Sequence, residues 1–313
     1  MITLWAMIEQ LFSVKLIILY VFIASTLYVH FRGKERLGFF RQLTDHSTLM
    51  APLNTFIYMF SAVPSRPYLN VEDFPELRKL RDNWEVIREE ATRLREDGHI
   101  KASEKYDDMA FNSFFKTGWK RFYLKWYGKS LPSAEQLCPK TVELVDSIPG
   151  ISAAMFTSLP PGSRLVRHRD PYAGSLRYHL GLMTPNTDRC RILVDGEPYS
   201  WRDGEDVMFD ETYLHYAENE TDAPRVILFC DVARPMKNRL ADAVRRAFNR
   251  FFVSLSATRN LETDKVGFLN KIFGSVYRVR RYAKSFKRAN RRLYYVAKFV
   301  LIFGLLYLIF FAW

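Results

Sequence analysis

Apolar residues run almost unbroken from residue 11 to residue 31, interrupted by Lys15 and a few small polar groups, and again from Leu293 to Trp313, where only Lys298 interrupts them. Leu16 to Phe31 alone makes 16 residues, about 24 Å of helix against a bilayer core of about 30 Å, so residues 11–14 must add to a span and Lys15 must snorkel. The basic cluster Arg32, Lys34, Arg36 and Arg41 follows with no positive stretch before the apolar run and no small-x-small cleavage pattern, which favours an uncleaved anchor over a signal peptide. The last apolar stretch reads as a second anchor, short and tilted.

Between the two runs the periodicity changes several times. Leu53–Phe60, framed by Pro52 and Pro67, is apolar but too short to span, and reads either as interfacial or as a cover for a folded core. From Asp73 to Asp97, Leu77, Leu80, Trp84, Ile87, Ala91 and Leu94 recur every three or four positions with Gly98 behind them, predicting one amphipathic helix. Trp119–Tyr127 predicts a strand, Ser133–Gln136 a capping box, and Pro139 a helix opening that runs to Ile148. Beyond Pro149-Gly150 the pattern turns to short strands, and Asp195-Gly196 and Asp203-Gly204 predict hairpin turns between Arg191–Val194, Tyr199–Trp201 and Val207–Phe209. Strands this short and closely spaced suit a barrel or sandwich, with Trp201 and Phe209 in its core. After Pro235, Leu240, Val244, Phe248, Phe251 and Phe252 share a helical stripe among arginines, the pattern either of a helix on an anionic leaflet or of an ordinary packing helix.

Charge sharpens this layout. Of the net +12, the segment from Arg234 to Lys298 carries 18 Lys or Arg against Asp242, Glu262 and Asp264, a net of +15, leaving −3 elsewhere. A basic flank beside apolar spans points to lipid head groups rather than nucleic acid, for which no motif is present. Aromatic content of 15% argues against disorder. Cys138, Cys190 and Cys230 have no metal-binding spacing and read as small apolar residues.

The candidate chemistry lies between His168 and Arg225. His168 and Asp170 stand two apart, on one side of an extended strand, and His215 begins another apparent strand. Two imidazoles and a carboxylate on one face of an Fe(II) leave three positions open, enough for a bidentate 2-oxo acid and dioxygen. A lone His-x-Asp is more often a solvated pair, but its company argues otherwise. Arg225 opens the apolar run Val226–Cys230, where a guanidinium is costly to bury unless it meets an anion such as a carboxylate. Arg177 and His179 repeat the two-residue spacing.

Gly174–Leu182, Tyr199–Gly204, Phe209–His215 and Arg225, taken together, resemble the aspartyl/asparaginyl β-hydroxylase family of Fe(II)/2-oxoglutarate dioxygenases, over about residues 151–235. The resemblance implies an α+β protein with a double-stranded β-helix (jelly-roll) core. It also implies His168 and His215 as iron ligands, Arg225 and Thr157 at the distal carboxylate of 2-oxoglutarate, and Arg177 and His179 helping to hold that co-substrate. Animal protein hydroxylases of the family lack a carboxylate at the position of Asp170, so this chain reads as carrying a complete triad. Arg41–Thr48, Asn112–Tyr127 and the apolar ends are similar, more narrowly, to the membrane-bound lipid A 2-hydroxylases of Gram-negative bacteria.

The resulting layout is an anchor at 1–31, a juxtamembrane and helical region at 32–150, the jelly-roll core at 151–235, a basic membrane-surface region at 236–292 and an anchor at 293–313, with a transmembrane helix at each end. The expected cofactors are Fe(II), 2-oxoglutarate and O2. The expected partners are lipid A or a related anionic glycolipid and inner-membrane lipids, with the catalytic domain facing the cytoplasm of a bacterium. Hydroxylation of a protein Asp or Asn, and a non-catalytic membrane scaffold, stand as alternatives.

Overall fold

Two antiparallel sheets share one apolar core in the computed structural model, which describes residues 12–102, 108, 111–256 and 258–310. The strands are β1 (Tyr68–Leu69), β2 (Lys120–Trp126), β3 (Ile151–Leu159), β4 (Ser163–Arg164), β5 (Ser175–Met183), β6 (Cys190–Val194), β7 (Glu197–Ser200), β8 (Asp206–Phe209), β9 (His215–Asn219) and β10 (Arg225–Ala233). The larger sheet has the order β1-β8-β5-β10-β3-β2 and the smaller β4-β9-β6-β7. From β3 onward successive strands alternate between sheets, except at the β6–β7 hairpin, which is the winding of a double-stranded β-helix. The long strands β3, β5 and β10 are buried on both faces, so they read as apolar runs rather than alternating ones.

Three local expectations are corrected. The amphipathic stretch from Asp73 is not one helix: two short 3-10 turns, the first at Val71–Asp73 and the second opened by Pro75, lead to a helical turn at Arg78–Asp82, and Asn83 (φ −111°, ψ 22°) breaks it before the helix Trp84–Glu96 begins. That helix ends as expected, with Gly98 at φ +73° and the His99 N–H returning to the Leu94 carbonyl. Ser133 does not cap the turn Pro132–Leu137 but lies inside it, its N–H and hydroxyl both donating to Asp264. Asp203-Gly204 is not a hairpin turn, because β7 and β8 belong to different sheets; it is a corner between them, with Asp203 accepting from the Thr184 N–H at 2.6 Å. Asp195-Gly196, both at positive φ, does close the β6–β7 hairpin.

The helices are α1 (Val14–Phe31), α2 (Ala51–Met59), α3 (Trp84–Glu96), α4 (Pro139–Asp146), α5 (Arg239–Phe248), α6 (Phe268–Ala289) and α7 (Arg291–Phe310), besides turns of six residues or fewer. Helix α3 packs on β5 and α4, burying Ile87, Ala91 and Leu94. Each fully buried aliphatic side chain of that kind contributes roughly 1.5–3 kcal/mol. Of the two readings of Leu53–Phe60, the structure selects the cover: α2 lies against α1, Ile57 packs with Tyr172 and Ala173, and Asn54 exchanges hydrogen bonds with Pro171 and Ala173. The loop at 258–264 also folds back onto the core, Asn260 bonding both backbone groups of Tyr123. Helix α1 and the segment Arg291–Ile309 are long and apolar enough to cross a membrane, with mean hydropathies of 1.9 and 1.7. The three cysteines are buried and free.

Candidate metal centre

His168 and His215 are brought together by the backbone. The His168 N–H donates to the His215 carbonyl at 3.0 Å and the His215 N–H returns to the His168 carbonyl at 2.8 Å, an isolated antiparallel bridge to the first residue of β9. Directly opposed residues of such a pair project to one face, and the ring centroids stand 4.2 Å apart. Each Nδ1 lies against a main-chain carbonyl, Val166 at 2.7 Å and Tyr213 at 2.9 Å. Those carbonyls hold the proton on Nδ1 and leave each Nε2 lone pair for a metal. Asp170 completes the group: Oδ1 is 3.5 Å from His168 Nε2, and one donor atom from each of the three residues lies within 4.8 Å of the others.

The electrostatics suit a cation. Burial lowers the basicity of both imidazoles, His215 to about 3, so they are neutral as ligands must be. Burial pushes Asp170 the other way, but Arg177, then His215 and His168, outweigh it and bring the carboxyl down to about 2. The donor set is that of a two-histidine, one-carboxylate iron site with open positions.

Arg177 is fully engaged. Its Nη2 lies 2.7 Å from both Asp170 and Glu211, and its Nε donates to Asp231 at 2.9 Å, while the guanidinium stacks 3.8 Å from the Phe229 ring centroid. Arg177 therefore orients the candidate ligand Asp170, and it also lines the cavity in which it was expected to meet the co-substrate. Three carboxylates around one guanidinium cannot all stay ionised, and burial followed by the neighbouring charges raises Glu211 well above the usual carboxylate range.

Thr157, His179, Trp201 and Arg225 line the same cavity as His168, Arg177 and His215. Thr157 Oγ1, both ring nitrogens of His179, Trp201 Nε1 and Arg225 Nε are buried without a hydrogen-bond partner among the described residues. Arg225 has no carboxylate partner among the described residues; it rests 4.4 Å over the Trp201 ring centroid, and burial lowers its pKa to about 10. A pocket with a bare guanidinium, a free hydroxyl and unpartnered ring nitrogens beside a vacant-valence donor set fits a small dicarboxylate bound at a metal, as 2-oxoglutarate would be.

Residues 81–235 match the family model described as Aspartyl/Asparaginyl beta-hydroxylase. This segment is a domain of that family. An ornithine lipid ester-linked acyl 2-hydroxylase of Rhizobium tropici is 33% identical over 57% of the chain and 64% of its own length. Human aspartate beta-hydroxylase domain-containing protein 2 is 34% identical over 43% of the chain and 37% of its own length, and human aspartyl/asparaginyl beta-hydroxylase 26% identical over 57% and 24%. The chain thus spans less than two thirds of each of these relatives.

The domain recruits residues that sequence reading passed over. Trp201 is core, as expected, yet it also floors the cavity under Arg225. Phe114 stacks edge-on to His168 at 4.8 Å between ring centroids, and Phe111 and Trp119 line the cavity with it. Arg169, between the two ligands, is 2% exposed. An arginine flanked by two candidate ligands was the available signal, but its partner, the Val29 carbonyl near the end of α1, lies 140 residues away in sequence.

Proposed function

We propose that this protein is an Fe(II)- and 2-oxoglutarate-dependent dioxygenase that hydroxylates C2 of a fatty-acyl chain on a membrane lipid, with the secondary acyl chains of lipid A at the bacterial inner membrane as substrate. The observation that carries the reading is the juxtaposition of the His168–Asp170–His215 donor set with the unpartnered Arg225. His168, Asp170 and His215 would hold the metal, and Arg225 with Thr157 the distal carboxylate of the co-substrate. Fe(II), 2-oxoglutarate and O2, when bound, would supply the oxidation: one oxygen atom of O2 would end in the product C–OH and the other in the succinate left as 2-oxoglutarate loses CO2.

The chain's own residues do the rest. The main-chain carbonyls of Val166 and Tyr213 orient the two imidazoles, and Arg177 keeps Asp170 charged and aimed. Phe111, Phe114 and Trp119 give the cavity an apolar wall, as a pocket for an acyl chain must have. The lipid reading is supported by the acyl 2-hydroxylase named among the relatives, by the two apolar helices and by the +15 flank from Arg234 to Lys298. Exposed Phe39, Phe40, Leu49 and Val166 add apolar surface around the segment that leads to His168. With α1 and α7 crossing the bilayer, residues 32–292 would lie on the cytoplasmic side, because Arg32–Arg41 and Arg288–Arg292 flank the spans.

C2 adjoins the ester carbonyl, so only the first carbons of the chain need to leave the membrane to reach a site just above it. The same relative favours an ornithine lipid as a second substrate reading. The test is purified full-length protein with Fe(II), 2-oxoglutarate and, in parallel, lipid A, ornithine lipid and Asp/Asn-containing peptides, read by mass spectrometry for gain of one oxygen. Turnover of lipid A supports the proposal; turnover of ornithine lipid alone moves the substrate to the second reading, and turnover of peptides alone overturns the lipid assignment.

A further inference from the structure

Helix α1 ends against the loop that carries two of the candidate metal ligands. The last carbonyls of any helix lack intrahelical partners, and the partial negative charge there attracts cations. For α1 the cation is Arg169, the residue between His168 and Asp170. Its Nη1 donates to the Val29 carbonyl at 2.9 Å and to Gln42 Oε1 at 3.3 Å, and its Nη2 to the Glu35 carbonyl at 3.3 Å. Arg169 has no carboxylate partner among the described residues, so the helix end and the strap that follows it supply the acceptors for both its Nη atoms, while Nε stays without a partner among the described residues. The strap holds the same loop from outside: His46 Nε2 meets the Arg169 carbonyl at 2.6 Å, Arg41 donates to the Arg167 carbonyl at 2.9 Å, and Arg167 pairs with Glu35.

The strap grips the other ligand as firmly. Arg32, one residue past α1, pairs with the fully buried Asp210 and donates to Thr212 Oγ1 at 2.7 Å, its guanidinium sandwiched 4.0 Å from the ring centroids of both Tyr58 and Tyr213. Asp210 and Thr212 lead directly into His215. The N–H groups of Lys34 and Glu35 donate to the Asp195 carboxylate at 3.0 and 2.8 Å, and the Asp195 N–H donates to the Leu214 carbonyl at 2.8 Å. A side chain at Gly33 would meet Asp195 Oδ1 at 2.5 Å, so glycine is what lets the strap approach this turn.

We infer that Arg169 and Arg32 are positioning residues that make the end of the apolar helix α1 a structural part of the metal centre, setting the spacing between the His168–Asp170 loop and the His215 segment. The anchor and the metal site then form one rigid unit, and the site's height above the bilayer is fixed by where α1 leaves it. This inference rests on the metal reading of the three ligands and is independent of the lipid.

The test compares full-length wild type with Arg169→Ala, Arg32→Lys and, as a control, the remote core variant Ile87→Val. Two quantities are measured: Fe(II) affinity by anaerobic titration, and amide hydrogen exchange of the metal-free protein over 166–170 and 210–215. Arg169→Ala is expected to weaken Fe(II) about 10- to 100-fold, the range for partners that orient metal ligands, and to speed exchange over both segments. Arg32→Lys, which keeps the charge but loses the flat stacked fork, is expected to give a smaller loss and faster exchange at 210–215. Ile87→Val is expected to change neither. If Arg169→Ala fails to fold, Arg32→Lys alone decides the matter. Unchanged exchange at both segments overturns the inference, as does a loss of Fe(II) affinity no greater than that of Ile87→Val. Metal binding by wild type reports separately on the metal reading.

Discussion

Replacing Arg225 with methionine should move stability and co-substrate affinity in opposite directions. In the ligand-free protein this guanidinium is buried with Nε unpartnered, has no carboxylate among the described residues, and is relieved only by the Trp201 ring. Its fall from 12.5 to about 10 corresponds to roughly 3 kcal/mol of unfavourable charge burial. Methionine has nearly the length of the arginine stem and carries no charge, so Arg225→Met should raise the stability of the ligand-free protein by about 1–3 kcal/mol once lost packing is subtracted. The same change removes a bidentate, charge-assisted contact worth about 3 kcal/mol, or roughly 150-fold in Kd for 2-oxoglutarate. The assays are thermal unfolding of the detergent-solubilised protein without ligand, and the shift of its midpoint with increasing 2-oxoglutarate. A variant that is destabilised without ligand yet still shows the wild-type shift would refute the reasoning, since Arg225 would then have a structural partner and no part in anion binding.

Other outcomes follow from the same geometry. His168→Ala and His215→Ala should abolish succinate formation from 2-oxoglutarate and Asp170→Ala should severely impair it; a fully active Asp170→Ala would reduce the ligand set to the two histidines. Glu211→Gln should cost less than about 1 kcal/mol, because burial, with Asp231 and Asp170 beside it, already disfavours the charged carboxylate it replaces, whereas Arg177→Met strands Asp170 and Asp231 and should cost about 3–5 kcal/mol by denaturation midpoint. His179 and His215 are held neutral with folded-state pKa values below the unfolded 6.5, so protonation favours the unfolded chain. Stability of the metal-free protein should therefore be full above pH 6.5 and fall on acidification, each group adding up to about 1.4 kcal/mol per pH unit, His215 until about pH 3; a flat profile between pH 6.5 and 5 would contradict this. A reporter active only in the cytoplasm, fused after Trp313, should stay silent, and strong activity there would exclude the two-span topology.

The sequence alone determined what depends on local pattern. The apolar lengths of α1 and α7, the strands β5 and β10, the Asp195-Gly196 hairpin and the Gly98 helix stop follow from periodicity and backbone preference, which neighbours in sequence dictate. That His168, Asp170 and His215 are of metal-binding type, and that burying Arg225 without an anion is costly, was equally legible, because metal chemistry and charge burial constrain residue identity wherever the chain runs. What failed locally failed for a tertiary reason. Asp203-Gly204 has hairpin chemistry but turns a corner between sheets, since β8 pairs with β5 rather than β7, and Ser133 has cap chemistry but serves Asp264. The roles of Arg177, Arg169 and Arg32 belong to the fold entirely. Each is an arginine whose meaning depends on which oxygen it meets, and those oxygens, on Asp231, Val29 and Asp210, lie 54, 140 and 178 residues away. Pattern along a chain specifies which groups need a partner; only the closed sheets and the end of α1 decide which partner each one receives.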